Sequence, residues 1–404
     1  MNKVVLYLLI LLFIVLSNQS IFISFSFLDE ILLVLIFLFY IIDCLITKRK
    51  LIRNTTLNVT FLLIFVLYIM ITLISLSINQ YQMQAYIMEI FNNIKPLIIL
   101  FFFVNLKISE NITKILMNSL IIANIPSILI AFTDLIKFYV LNINSYHGFK
   151  ERYGLIRLEG LSGHPITLGF ILMILVIWIH HNYSKNTVLK LLIVFLLLMQ
   201  FLTFSRLPLV LTISYFIIVY FNTIKDVLIK KVILISVVII TIFVLPYFYS
   251  SIFESFLEDE AEHTIRIYSL NKAAEIIEDK SFFGVGVGRF GNRASILFMS
   301  DIYNRYVFRT DVLKFAFDRP GSMFESHLAK QLIETGILGT VLFYGMFIVL
   351  IIALKNGKVK KKELQLNLFF LIIILANSIF NPIYTIPLYL ITCILISRQI
   401  NQIS

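Results

Sequence analysis

The sequence predicts an all-α polytopic membrane protein, with about twelve transmembrane helices and one large extracytoplasmic lobe between the ninth and tenth. Three observations carry this expectation. Of 404 residues, 59% are hydrophobic and only 14% charged, which leaves too little polar surface to cover a soluble globule of this size. Runs of roughly 17–22 mostly apolar residues, the length a helix needs to cross the hydrocarbon, recur along the chain. One long stretch, 250–335, carries no such run. Helix is the only sensible form for the spans, because an open strand would leave unpaired amides in lipid and the runs lack barrel-type alternation.

The spans fall at about 4–24, 29–47, 57–78, 86–106, 115–136, 165–181, 189–204, 207–223, 232–249, 336–354, 364–380 and 383–397. The first run resembles a signal-peptide core. No small-residue cleavage site follows in Ser17-Asn18-Gln19-Ser20, and a second span follows at once, so the run is expected to remain as a helix. Residues 1–249 thus hold nine helices, 250–335 the lobe and 336–404 the last three. Cys44 and Cys393 each sit inside an apolar span, which leaves neither a disulfide framework nor a cysteine metal cluster. No metal-ligand spacing joins the histidines, so no metal is expected.

The net charge is +11. In a membrane protein a basic excess first means cytoplasmic loops rich in Lys and Arg, so nucleic acid is not an expected partner. Placing Lys3 inside puts Lys48, Arg49, Lys50, Arg53, Lys107, Lys114, Lys185, Lys190, Lys225, Lys230, Lys231, the lysines of 355–362 and Arg398 inside as well. Both termini are then cytoplasmic and the lobe lies outside, its own basic residues permitted by its length.

The small outside set includes Arg152 and Arg157, in Glu151-Arg152-Tyr153-Gly154-Leu155-Ile156-Arg157 before the sixth span, and Arg206 in the tight hairpin Thr203-Phe204-Ser205-Arg206-Leu207-Pro208. An ionisable group at that depth is costly and points to function, although a guanidinium can also snorkel to lipid headgroups. Arginine suits a diphosphate because its planar fork donates two hydrogen bonds and keeps its charge. Arg152, Arg157, Arg206 and Arg266 all fall near helix ends on the outer face and are candidates for a lipid-linked diphosphate. Arg266 equally pairs with Glu262 one helical turn away.

In the lobe, an acidic run leads into a helix-like segment ending at Asp279, with Ile265, Tyr268, Ile276 and Ile277 spaced to form one apolar face. The cluster Phe283-Gly284-Val285-Gly286-Val287-Gly288-Arg289-Phe290-Gly291 follows. It lacks the buried strand and βαβ context of a nucleotide loop. A tight turn that brings backbone close to a sugar or phosphate, or simple loop punctuation, fits better. His327 stands two residues after Glu325 at the start of the tenth span. It is a candidate general base toward a sugar hydroxyl, or a capping residue of the helix.

Taken together, these motifs resemble the O-antigen polymerase and O-antigen ligase superfamily. The resemblance covers roughly 150–345: the arginine stretch before span six, the Thr-Phe-Ser-Arg hairpin, the Arg266 helix with the glycine cluster and Arg289, and His327 followed by Gln331, Leu332, Glu334, Gly336 and Gly339. Leu328 stands where the family often has asparagine. The resemblance implies a metal-independent, inverting glycosyltransferase without cofactor in the bacterial cytoplasmic membrane. It would move a glycan from undecaprenyl diphosphate to a lipid-linked repeat unit, as in O-antigen (lipopolysaccharide) or capsule biosynthesis. His327 and Glu325 are then the catalytic candidates, and Arg152, Arg157, Arg206, Arg266 and Arg289 the diphosphate and glycan contacts. Partners would be lipid-linked oligosaccharides, membrane lipid, a chain-length regulator and a flippase. A ligase on the same fold differs only in acceptor. A glycan flippase would need charges along a path, and Asp43 and Asp134 are sparse for that.

Overall fold

The computed structural model describes residues 3–18, 28–46, 48, 56–79, 82–106, 108–141, 151–152, 155–183, 186–223, 260–280, 282–298, 300–308, 326–356, 361–380 and 387–403. Over these residues the protein is α-helical, apart from a two-residue antiparallel pairing of β1 (Glu151–Arg152) with β2 (Leu155–Ile156) that the sequence did not predict. The helices are α1 (Lys3–Ser17), α2 (Leu28–Ile46), α3 (Thr56–Asn79), α4 (Met83–Asn105), α5 (Glu110–Tyr139), α6 (Pro165–Tyr183), α7 (Thr187–Leu202) and α8 (Arg206–Thr223). They continue with α9 (Glu260–Lys280), α10 (Arg293–Leu297), α11 (Ile302–Arg305), α12 (His327–Asn356), α13 (Lys361–Phe380) and α14 (Pro387–Ile403). Every expected span except the ninth, 232–249, coincides with one of these; the ninth lies outside the described residues.

Among the described residues, α3, α4, α5, α6 and α12 are long and apolar enough to cross a membrane, and the chain is a polytopic membrane protein. The faces show how an all-apolar helix chooses its inside. Along α3, Val59, Leu63, Val66 and Met70 form an exposed apolar row at helical spacing, as a lipid-facing surface requires. The opposite row, Phe61, Tyr68, Thr72 and Ser75, is buried and carries the polar groups. Helix α6 is buried throughout 168–179, with α7, α8, α14 and the 3-10 turn Gly160–Ser162 around it, so its apolar circumference faces protein rather than lipid. Helix α1 ends at Ser17, before the expected boundary at 24. There the Asn18 amide turns back to the Ile14 carbonyl at 2.9 Å and competes with the continuing helix.

The lobe has its own small core. Ala273 and Ile276 of α9 meet Val285, Phe290, Ile302, Tyr303, Tyr306 and Phe308, and all of them close on Ala329 and Ile333 of α12. The buried face of α9 is Ser269, Ala273 and Ile276, with Tyr268 packed beside it. That is a rotation from the expected face, because Ile277 is only half-buried and the small residues at 269 and 273 allow the closer approach. The Tyr306 hydroxyl donates to Asp279 at 2.6 Å, and Arg305 reaches the same carboxylate at 3.4 Å. The Tyr306 hydrogen bond, helped by Arg305, holds the exposed Asp279 carboxyl below its ordinary range. Burial, and then the contact with Asp279, push the Tyr306 phenol up to about 12.

Candidate functional site

The site is built on a break in α12. At Gly336 the backbone takes φ 65° and ψ −170°, a region essentially reserved for glycine, and separates 327–335 from the rest of the helix. The His327 ring lies 4.9 Å from that of Phe343, whereas sixteen residues of straight helix would put their backbones about 24 Å apart. The segment 327–335 therefore turns sharply onto the body of α12. Tyr68 of α3 fills the angle: its hydroxyl donates to Gln331 Oε1 at 3.0 Å, and its ring lies 5.9 Å from Phe343. Ser326 caps the short segment by accepting from the Ala329 amide at 3.1 Å.

A helix break leaves backbone groups without intrahelical partners, and the glycine cluster supplies them. Val285 N donates to Ile333 O at 2.8 Å, Gly286 N to Glu334 O at 3.0 Å, and Leu338 N to Phe282 O at 3.3 Å. Gly284 and Gly336 sit back to back; a Cβ on either would fall 2.5 Å from the backbone nitrogen of the other. A Cβ at Gly288 would come within 2.6 Å of the Ala85 carbonyl, so glycine there lets the loop lie flat on α4.

The loop also wraps a carboxylate. Glu334, fully buried, accepts at Oε1 from Gly288 N (2.8 Å), Phe290 N (3.2 Å) and Asn292 Nδ2 (2.6 Å), and at Oε2 from Asn93 Nδ2 of α4 (3.1 Å). One turn before it, Lys330 forms a buried ion pair with Glu89 of α4, whose second oxygen accepts from Asn92 at 3.2 Å. The cluster's amides thus face the protein's own carboxylate, which favours the tight-turn reading over a phosphate loop. Arg289 is built into the same structure: it donates to Val285 O at 3.1 Å and pairs with Asp301 at 3.0 Å, which ties the loop to the start of α11.

The second cluster of candidates lies around the arginine hairpin. Leu158 N donates to Leu202 O at 3.2 Å and Arg157 Nε to Thr203 O at 3.5 Å, so the stretch after β2 is fastened to the end of α7. The hairpin is closed by Thr203 Oγ1, which donates to Gln200 O at 2.7 Å and accepts from Ser205 N at 3.2 Å. Phe204 takes a positive φ of 48° to make the turn, and α8 begins at Arg206. Arg157 is thereby held at the hairpin that leads into α8.

His327 is 4% exposed, and its Nε2 has no partner among the described residues. Arg152 stands in β1, Arg206 opens α8 and Arg266 lies in α9; the side chains of these three, like Glu325 as a whole, fall outside the described residues. Sequence reasoning missed Glu89, Asn93 and Tyr68. For Glu89 a signal existed, since an acid within an apolar span marks a polar partner or a function.

Residues 191–344, from α7 through the Phe343 region of α12, match the family model Wzy_C, described as O-antigen ligase. The matched segment contains the hairpin, α9, the glycine loop and the whole of 327–336. This supports the O-antigen ligase and polymerase superfamily. A comparison with curated proteins returned no match.

Proposed function

We propose that the protein is a polysaccharide polymerase, acting at the outer face of the cytoplasmic membrane on glycans carried by undecaprenyl diphosphate. The observation that carries this reading is that one matched segment holds the arginine hairpin, the arginine-bearing α9 and a buried histidine on a helix break, with α9 and the break packed on one another. In the reaction, the hydroxyl of an incoming repeat unit attacks the anomeric carbon of the growing chain. The bond from that carbon to the diphosphate oxygen breaks with its electron pair, and the proton of the hydroxyl passes to His327 or Glu325. Charge grows on the departing diphosphate, so fixed guanidiniums at Arg152, Arg157, Arg206 and Arg266 stabilise the transition state more than the ground state. Arg289, already engaged by Asp301, serves the lobe.

The test uses purified protein in lipid nanodiscs, with lipid-linked repeat units extracted from cells that lack the gene. A ladder of products on a glycan gel is expected, lost in Arg206→Ala and Arg266→Ala and poorly recovered by lysine, which keeps charge without the fork. The description of the matching family favours a second reading, ligation to lipid A core. Transfer to added core lipid without a ladder would establish that reading; transfer to neither acceptor would overturn both.

A further inference from the structure

We propose that Glu334 is a positioning residue: its carboxylate sets α9 and the His327 segment in register, and the rate of transfer depends on that register. This rests on the transferase reading above. Glu334 lies on the segment that begins with His327, two turns further on. The loop whose amides it holds, at Gly288 and Phe290, follows directly from α9, the helix that carries Arg266. Its other oxygen is held by Asn93, so one carboxylate joins three separate pieces: the lobe loop, the broken helix and the bundle.

The neighbouring contacts call for two acceptor oxygens at this point. Four donors converge on Glu334, none of which can accept from a protonated acid through the same atom. Lys330 and Glu89 pair with one another one turn away, which leaves the two oxygens of Glu334 to the loop donors and Asn93. Apolar packing of Ile333 and Ala329 against α9 would hold the lobe down without this arrangement. What the polar tie adds is direction, because hydrogen bonds fix angles that apolar contacts leave loose. Displacing a reacting group by roughly an ångström costs on the order of 10²-fold in rate.

The experiment compares Glu334→Gln, which keeps shape but presents an amide to donors, with Ile333→Ala, which loosens the same packing without touching the carboxylate. Both are read for melting temperature, kcat and KM for the extracted lipid-linked donor. Glu334→Gln is expected to lose about 10²-fold in kcat with donor KM nearly unchanged, and more kcat than Ile333→Ala even where Ile333→Ala melts lower. Asn93→Leu, which removes only the bundle-side bond, is expected to show the same split at about tenfold. Should Glu334→Gln fail to accumulate, Asn93→Leu decides. A kcat that simply follows melting temperature across the three variants, or stays at the wild-type value in Asn93→Leu, overturns the proposal. Inactive wild-type protein would instead overturn the transferase reading.

Discussion

Replacing Gly336 by alanine tests the helix break most directly. The new Cβ would lie 2.5 Å from Gly284 N and from Phe282 O, and 2.7 Å from Phe282 C, all backbone atoms that have no rotamer to yield. Holding a non-glycine residue at φ 65° and ψ −170° costs about 1–3 kcal/mol. Forcing the loop off the helix costs about 1–3 kcal/mol more, as overpacking does elsewhere. The total, about 2–6 kcal/mol, falls on the junction of lobe and bundle and raises its opening equilibrium by roughly 30-fold to 10⁴-fold. Two probes separate junction from bundle. Proteolysis within α9 at low protease reports lobe opening, and fluorescence of Trp178, the single tryptophan, buried in α6, reports the bundle. Proteolysis should accelerate strongly while Trp178 fluorescence melts near the wild-type temperature. Gly345→Ala is the control, since nothing lies within 4 Å of its Cβ, and it should be neutral or stabilising by up to about 1 kcal/mol. Equal proteolysis of the two alanine variants would refute the account of the break.

Lys330→Met should destabilise the protein by about 3–5 kcal/mol, because it leaves Glu89 charged and buried without its partner, and adding Glu89→Met should recover most of that loss; thermal melting of the single and double variants checks both. The lobe should loosen at alkaline pH. The Tyr306 phenol ionises near 10 in the unfolded chain and at about 12 when folded. Its contribution is complete below pH 10 and disappears as pH rises toward 12, so Tyr306→Phe should flatten that part of the proteolysis–pH curve relative to wild type. An exposed lobe position should react with an impermeant thiol reagent in intact cells. Glu278→Cys suits this because Glu278 is exposed on α9, and labelling only after permeabilisation would reverse the proposed orientation.

The spans were legible because each is a long apolar run whose length alone determines its role, and that signal survives without knowing any neighbour. Which side of each span faces lipid was not legible: Val66 and Phe61 are equally apolar, and only the position of α12 and α4 decides that Phe61 points inward. The glycine cluster could be read as a turn, but not as the cover of a helix break. The donors and acceptors it serves lie about fifty residues further on, at Ile333, Glu334 and Leu338.

The break itself explains why so many polar groups gather at this point. Within a membrane, irregular backbone persists only where protein satisfies its freed amides and carbonyls. Here the loop from 282 to 290 takes two carbonyls and one amide of α12, and Asn79 at the end of α3 takes the Gly284 carbonyl at 3.1 Å. Once the backbone is satisfied, the bend turns the side chains of 327–335 toward α3 and α4 rather than toward lipid. Gln331 meets Tyr68, Lys330 meets Glu89 and Glu334 meets Asn93. On a straight α12 the backbone of His327 would lie about 24 Å from that of Phe343, not folded back against it as the 4.9 Å ring contact requires. The glycines at 284 and 336 therefore act on the chemistry indirectly: by permitting the bend, they let a histidine, a lysine and two carboxylates share one buried site.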